Sequence, residues 1–383
     1  MLSPVVQTAE REALVASIRA YVKRQFGTRE QRSVLSPDTE DPAAMREVTR
    51  SLAEYGWMGA ALPEEYGGGG GGIVDACLIM EEFWYGRVPA AAVIVSMIVG
   101  NVINEFGTEE QKKEILAGIC AGEGASISMS EPEAGSDVGS LSCRAVRTGD
   151  TYVINGQKTW TSAAHYAKRI LLVCRTSTDG PKHAGISMIV VPTDTPGVEI
   201  RPIETLGGSE VNDIYFTDAV VSADNLVGTE NEGWGQLMAG LNFERLVGSA
   251  GFVGLTRRIF DDTLQYIQDR QQFGKPIGSF QALKHRMADL ATEIQACHFL
   301  VYGLAAIADE HPETPYPRET SMAKLKTSEV LKQMAIEGMQ MTGGMGYTKE
   351  FGMEAYLRHA IIATVYGGTS EIQREIIAKQ YGL

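Results

Sequence analysis

The chain reads as an α+β multi-domain protein. An N-terminal α-helical domain is expected over residues 1–120, a middle antiparallel β domain over 121–228 and a C-terminal α-helical bundle domain over 229–383. Three observations predict this. Before residue 120, apolar residues recur at three- to four-residue spacing. In the stretch that follows, short β-rich runs are separated by Gly, Pro, Asp and Asn. From about residue 231 the helical spacing returns in longer segments.

In the first zone, residues 9–26 (AEREALVASIRAYVKRQF) and 42–59 (PAAMREVTRSLAEYGWMG) carry the helical pattern. Residues 88–104 are uncharged but interrupted by Pro89, Ser96, Gly100 and Asn101. They predict a buried helix, since about 20 apolar residues are needed to span a bilayer. The glycine run 67–72 predicts a flexible solvent loop on composition. It does not join a strand to a helix, so it fails the dinucleotide fingerprint. In the middle zone, residues 151–160, 169–174, 186–191 and 213–216 read as strands. With no helices between them, they suggest a small antiparallel sandwich or barrel. The last zone predicts long helices over 234–273, broken at most once, 280–310 and 318–343, then a shorter terminal helix. Pro312, Pro315 and Pro317 mark one connection, and the whole suggests an antiparallel bundle.

Composition narrows the function classes. Of 383 residues, 44% are hydrophobic and 21% charged, which supports a large core and excludes disorder. The net charge of −14, with no basic block, argues against nucleic acid as a partner. Cys77, Cys120, Cys143, Cys174 and Cys297 are scattered, without a CxxC pair, and read as reduced thiols of a cytoplasmic protein. The N-terminal fifteen residues lack the basic-then-apolar layout of a secretory signal. None of the six histidines pairs with Cys, Asp or Glu at ligand spacing, so no metal site is expected. There is no GxSxG and no Walker A motif.

Three places carry possible chemistry. On a helical wheel, Leu237, Leu241, Glu244, Gly248, Gly251 and Leu255 share one face. A carboxylate therefore sits in an apolar stripe, and the glycines leave space beside it. Desolvation raises a carboxyl pKa toward neutrality, which suits a general base. The alternative is that Glu244 pairs with Arg245 or another cation. Second, Ser128-Met-Ser-Glu-Pro-Glu-Ala-Gly-Ser-Asp137 offers backbone N–H groups and the Ser130 and Ser136 hydroxyls to a ligand, unless it is an ordinary linker. Third, Asn155-Gly-Gln-Lys-Thr-Trp160-Thr-Ser162 places a Trp that either stacks on a planar cofactor or fills core.

Together these segments resemble the acyl-CoA dehydrogenase family. Pro63-Glu-Glu-Tyr-Gly-Gly is similar to its N-terminal domain. Ser130-Glu-Pro-Glu-Ala-Gly-Ser-Asp137 and Gly156-Gln-Lys-Thr-Trp160 resemble its two middle-domain flavin motifs. Arg270-Gln-Gln-Phe273-Gly-Lys, Gln281, Gln340-Met-Thr-Gly-Gly344-Met-Gly-Tyr and Tyr366-Gly-Gly-Thr369-Ser-Glu-Ile-Gln-Arg resemble its C-terminal signatures. The motifs occur in the family's order over more than 300 residues.

The resemblance implies non-covalent FAD and oxidation of an acyl-CoA thioester to the trans-2-enoyl-CoA. A carboxylate takes the α-proton and flavin N5 takes the β-hydride. It implies that Met129, Ser130, Trp160 and Ser162 lie along the flavin ring, and that Thr369 and Glu371 hold its dinucleotide part. Arg270, Phe273, Gln281, Gln340, Gly343 and Gly344 reach the FAD of a neighbouring subunit in a homotetramer. Ser136, Asn242 and Arg245 hold the CoA arm, and Tyr366 and Gly367 border the substrate. Electrons pass to electron-transfer flavoprotein.

Two departures stand out. Many members carry the catalytic Glu directly after the Tyr of the last motif, whereas Gly367 follows Tyr366 here. Isovaleryl- and long-chain-type members place it on the first long C-terminal helix, at the position matched by Glu244. The second is Leu206-Gly-Gly-Ser-Glu-Val-Asn-Asp213, a stretch in which the family usually has an Arg and a Ser/Thr that contact the flavin and CoA. Gly367 and Gly368 should widen the site beside the substrate Cα, favouring branched or medium-to-long acyl groups over butyryl. Rival readings on the same fold are an oxidase using O₂, an enzyme of carrier-protein-bound acyl groups, and a non-catalytic subunit of a mixed tetramer.

Overall fold

The computed structural model describes residues 8–33 and 41–383. The first seven residues of the stretch read above for a secretory signal lie outside the described residues.

Helices α1 (Ala9–Gln25), α2 (Arg29–Ser33), α3 (Pro42–Glu54), α4 (Ile73–Tyr85), α5 (Ala91–Phe106), α6 (Glu109–Gln111) and α7 (Ala117–Cys120) come first. Strands β1 (Ala125–Ser128), β2 (Arg144–Thr148), β3 (Thr151–Ser162), β4 (Arg169–Arg175), β5 (Ile186–Pro192), β6 (Val198–Thr205), β7 (Gly208–Ser222) and β8 (Leu226–Val227) follow. Then come α8 (Gly233–Asp269), a hairpin of β9 (Gln271–Gln272) and β10 (Lys275–Pro276), α9 (Gln281–Glu310), α10 (Pro317–Thr342), α11 (Met353–Ile362) and α12 (Ser370–Gln380). The order is the helical, β, helical one that the sequence predicts. Local signals set the ends. Thr8 caps α1 by accepting from the Arg11 N–H, and Asp41 caps α3, with Pro42 as its first residue.

Packing groups the chain into two compact units that cut across this order. The sheet unit comprises Ser33–Gly72 and Pro89–Phe243, and the helical unit the residues up to Arg32, Ile73–Val88 and Glu244–Leu383. Thus α1 and α4 fall in the helical unit and α3 and α5 in the sheet unit.

In the sheet unit the strand order is β6-β7-β3-β2-β4-β5-β8, with β1 alongside β4. Pairing is antiparallel except at β1–β4 and at the single β2–β4 bridge, Arg144 with Arg175. The two halves joined at that bridge share one core: Tyr152, Ile154, Ile214 and Phe216 pack with Ile170, Leu172, Ile189 and Val191. The intervening residues Leu171, Val173, Met188 and Val190 pack on Val99, Val102 and Ile103 of α5 and on Ile115, Leu116 and Ile119. Because β4 and β5 are covered on both faces, they read as unbroken apolar runs. The expected buried helix within 88–104 is α5. The glycine run is not a flexible loop. Gly68, Gly69, Gly70 and Gly71 donate N–H bonds of 2.9–3.0 Å to the carbonyls of Pro63, Gly59, Leu62 and Ala60. A Cβ on Gly68 would stand 2.1 Å from the Leu62 oxygen, so glycine here permits close backbone packing.

In the helical unit, α10 packs against α9, α11 and α12, and α4 against α1 and α9. Arg19 binds Glu82 at 2.7 Å and Arg257 pairs with Glu81, tying α1 and α8 to α4. α8 runs unbroken for 37 residues. Two short helices close the chain where one was expected, because Gly367 (φ +63°) and Gly368 (φ +85°) turn it between α11 and α12. One helix among the described residues, α9, is long and apolar enough to cross a bilayer; it packs between α4 and α10.

Candidate active site

Two clusters carry the predicted residues. The first lies in the sheet unit, where the segment after β1 is bonded to the end of β3. Ser128 Oγ and Thr161 Oγ1 are 2.7 Å apart, and the Thr159 N–H donates to the Ser130 carbonyl at 2.9 Å. Lys158, with 0% of its side chain exposed, donates from Nζ to the Met129 carbonyl (2.9 Å) and to Glu131 Oε1 (2.7 Å). Glu131 also accepts from the Cys143 N–H at 2.9 Å, the Ser142 N–H at 2.7 Å and the Ser142 hydroxyl at 2.8 Å. Burial pushes the Glu131 carboxyl up, but the Lys158 charge and these hydrogen bonds prevail and hold it below its usual range.

The consequence is that Met129, Ser130, Trp160 and Ser162 come together. Trp160 is 58% exposed and has φ +59°, at a shift of register between Lys158 and Thr161. Left-handed backbone at a non-glycine residue costs about 1–3 kcal/mol and clusters where a side chain must be re-aimed. Here the irregularity turns a planar ring outward rather than into the core, a cradle that suits a flat heteroaromatic ring. Ser136 is exposed, and its neighbour Asp137 pairs with Lys182 at 2.6 Å. In the atypical 206–213 stretch, Asn212 is 0% exposed, donates to the Thr161 carbonyl (2.8 Å) and meets His165 Nδ1 (2.9 Å). Asn212 thus anchors β3 from within.

The second cluster lies in the helical unit. Glu244, on α8, is half-buried, and its Oε2 is buried without a hydrogen-bond partner among the described residues. A Cβ built on Gly367 would stand 3.5 Å from Glu244 Oε1 and 3.8 Å from Lys324 Cε, so glycine leaves a gap between them. Lys324, 2% exposed, donates from Nζ to the Gly368 carbonyl at 2.6 Å. Gln373, 0% exposed, donates to the Gly367 and Gly368 carbonyls at 2.9 and 3.0 Å. Burial raises the Glu244 pKa, and the charges of Arg245 and Lys324 partly oppose it. Lys324 is lowered to about 8, first by its own burial. Arg245 is 7% exposed. The cations of the alternative sequence reading are thus present as charges, Arg245 and Lys324, that partly oppose the effect of burial on Glu244.

The space foreseen beside the glycines of this face is partly filled. A Cβ on Gly251 would stand 3.0 Å from Trp84 Cδ2, so the indole occupies that notch. Trp84 meets Phe252 edge-on at 5.5 Å, and Phe252 lies 5.8 Å from the Tyr366 ring. Asn242 is half-buried two residues before Glu244 on α8.

The remaining predicted residues lie at the surface of the helical unit. Arg270, Gln281, Gln340, Gly343 and Gly344 are exposed. Phe273 is 92% exposed at φ +55°, at the tip of the β9–β10 hairpin. Thr369 and Glu371 line a groove of about 530 Å³ with Lys332, Gln333 and Arg374. Thr369 caps α12 by accepting from the Ile372 N–H at 3.2 Å. Ser370, also in the groove wall, is 5% exposed and its Oγ has no partner among the described residues. A helix start with an unused hydroxyl and nearby cations fits a phosphate-bearing dinucleotide.

Sequence reasoning missed Lys324, Lys158 and Trp84. For Lys324 a signal existed: it lies in the buried α10 stripe of Thr320, Ala323, Thr327 and Leu331, the same anomaly that exposed Glu244.

Comparison with known proteins gives a single answer. Residues 8–123, 126–219 and 231–382 match the N-terminal, middle and C-terminal domains of acyl-CoA dehydrogenase. The chain is similar to a probable acyl-CoA dehydrogenase of Bacillus subtilis (strain 168), 38% identical over 340 residues, covering 86% of this chain and 88% of the relative. It is 32% identical to the mitochondrial short/branched chain specific acyl-CoA dehydrogenase of Bos taurus, covering 99% of this chain and 87% of that one. The crystal structure of an acyl-CoA dehydrogenase from Geobacillus kaustophilus superposes with a TM-score of 0.92 at 31% identity, covering 100% of both chains.

Proposed function

The chain belongs to the acyl-CoA dehydrogenase family and is an FAD-dependent oxidoreductase of acyl-CoA thioesters; from that premise we propose that Glu244 is the base that removes the α-proton. The observation that carries this is the Glu244 carboxylate, with one buried oxygen lacking a hydrogen-bond partner among the described residues and the other facing the Gly367 gap. When bound, FAD supplies the acceptor for the hydride that leaves Cβ. The chain supplies the rest. Trp160, Met129, Ser130 and Ser162 present one surface for the flavin ring, and Thr369 and Glu371 border the groove for its dinucleotide part. Ser136, Asn242 and Arg245 hold the CoA arm. Tyr366 and Gly367 border the acyl group at Cα. Burial raises the Glu244 carboxyl and the two cations partly oppose it, which makes its ionised form a stronger base toward a thioester α-proton than an exposed carboxylate. Electrons then pass to electron-transfer flavoprotein, in the cytoplasm. Anaerobic bleaching of the bound flavin by a panel of acyl-CoAs tests this reading. A folded protein that takes up no FAD, or whose flavin no acyl-CoA bleaches, overturns it.

Trp84 refines the substrate. Seven residues separate Glu244 from Gly251, about 10 Å along a helix, and the indole closes the α8 face there. This favours short or branched acyl groups, and narrows the branched or medium-to-long range that Gly367 and Gly368 suggested. Trp84→Ala should raise the kcat/KM ratio of octanoyl-CoA to isovaleryl-CoA by about tenfold, two or so methylene burials. An unchanged ratio sinks the assignment.

Phe273 motivates the oligomer. A ring held out at 92% exposure on a left-handed turn, with Tyr347 82% exposed on the same unit, suits a protein contact. We assign Arg270, Phe273, Gln281, Gln340, Gly343 and Gly344 to the FAD site of a neighbouring copy in a homotetramer. Light scattering should find an oligomer, and Phe273→Asp should lower both association and FAD retention. A monomeric, fully flavinated wild type overturns this.

A further inference from the structure

We propose that Lys324 is the positioning residue of the base: its ammonium, anchored on the Gly368 carbonyl, keeps Glu244 in the ionised form that takes the proton. This rests on the reading of Glu244 as base. The geometry is specific. Glu244 Oε1 and Lys324 Cε lie 3.5 and 3.8 Å from one point, the Cβ position that Gly367 leaves empty. One wall of that gap is thus the carboxylate and another the lysine. Lys324 is 2% exposed and its Nζ donates to the Gly368 carbonyl at 2.6 Å, which fixes the charge beside the gap.

The charged groups that act on this pair come from several elements. Arg245 on α8 and Lys324 on α10 act on Glu244. Glu244, Arg245, Glu371 at the start of α12 and Glu329 on α10 act on Lys324. Burial favours the neutral carboxyl, which cannot accept a proton, so the base depends on its cations. Arg245 follows Glu244 directly on the same helix, whereas Lys324 stands on α10 at another wall of the gap. Gln373 also holds the Gly367–Gly368 turn, so the turn should survive replacement of Lys324.

The test is the pH dependence of single-turnover flavin reduction in the FAD-loaded protein. Lys324→Gln removes the charge and keeps a donor for Gly368; Lys324→Met removes both and decides if the glutamine variant does not fold. Lys324→Arg keeps the charge. The alkaline-rising midpoint should move up by about one unit in the neutral variants, with rates below it about tenfold lower and rates above it converging. The arginine variant should keep the wild-type midpoint. An infrared titration of the protonated-carboxyl band that Glu244→Gln deletes should show the same shift without turnover. An unmoved midpoint in a neutral variant, or an equal shift in the arginine variant, overturns the proposal. Retained flavin reduction in Glu244→Gln would instead overturn the reading of the base.

Discussion

Glu244→Gln should lower flavin reduction by about 10²–10⁴, the contribution of a well-placed acid–base group. The amide keeps the shape of the side chain and removes the proton acceptor, so FAD content, oligomeric state and acyl-CoA binding should persist. Only the ionised carboxyl can act as base, and burial raises its pKa. Wild-type activity should therefore appear as pH rises through that raised value and be lost below it. Gly367 offers a second check. Its Cβ position lies 3.5 Å from Glu244 Oε1, so a carboxylate side chain grown there starts beside the same spot. Gly367→Glu in the Glu244→Gln background should recover part of the rate, reduced by the roughly 1–2 kcal/mol of a left-handed non-glycine residue. Flavin reduction in Glu244→Gln at near wild-type rate, in single turnover, rules out this base.

Glu244 was legible because it breaks a pattern. A carboxylate in the apolar stripe of α8 is anomalous whatever surrounds it, and periodicity alone finds it. β4 and β5 were legible for the converse reason: strands covered on both faces keep an unbroken apolar run. What failed to show was set by distant partners. The glycine run reads as a linker until Leu62 and Ala60 are seen to accept its N–H groups. Gly251 reads as open space until Trp84, on another helix, is seen to fill it. The separation of α1 and α4 from α3 and α5 depends on which unit covers each helix, and sequence order carries no trace of that. Lys158 sits on β3 where the alternation of burial breaks, beside buried Thr159, and its acidic partner lies 27 residues earlier in sequence.

That pair sets the second large expectation. Glu131→Gln leaves the Lys158 ammonium buried, 0% exposed, opposite a neutral amide. Removing one partner of a buried ion pair costs about 3–5 kcal/mol, against about 0–1 for an exposed one. In a unit of this size the melting temperature should fall by about 10 °C. The effect should be largest on the flavin-facing segment, because Lys158 also holds the Met129 carbonyl and Glu131 binds the Ser142 and Cys143 N–H groups. FAD should therefore leave the variant at lower temperature than it leaves wild type. The pH dependence has a definite sign. Glu131 is held below the usual carboxylate range by Lys158 and its hydrogen bonds, so its stabilisation is present above that range and is lost as pH falls through the lower, folded-state value. The variant should lack this acid-sensitive component, so the two melting temperatures should converge as pH falls through that folded-state value. Glu131→Leu with Lys158→Met should recover much of the loss, since an apolar pair of similar volume is often neutral or better in such a place. If Glu131→Gln melts and releases FAD as wild type does at pH 7, the pair is not what holds Met129 and Ser130 against β3.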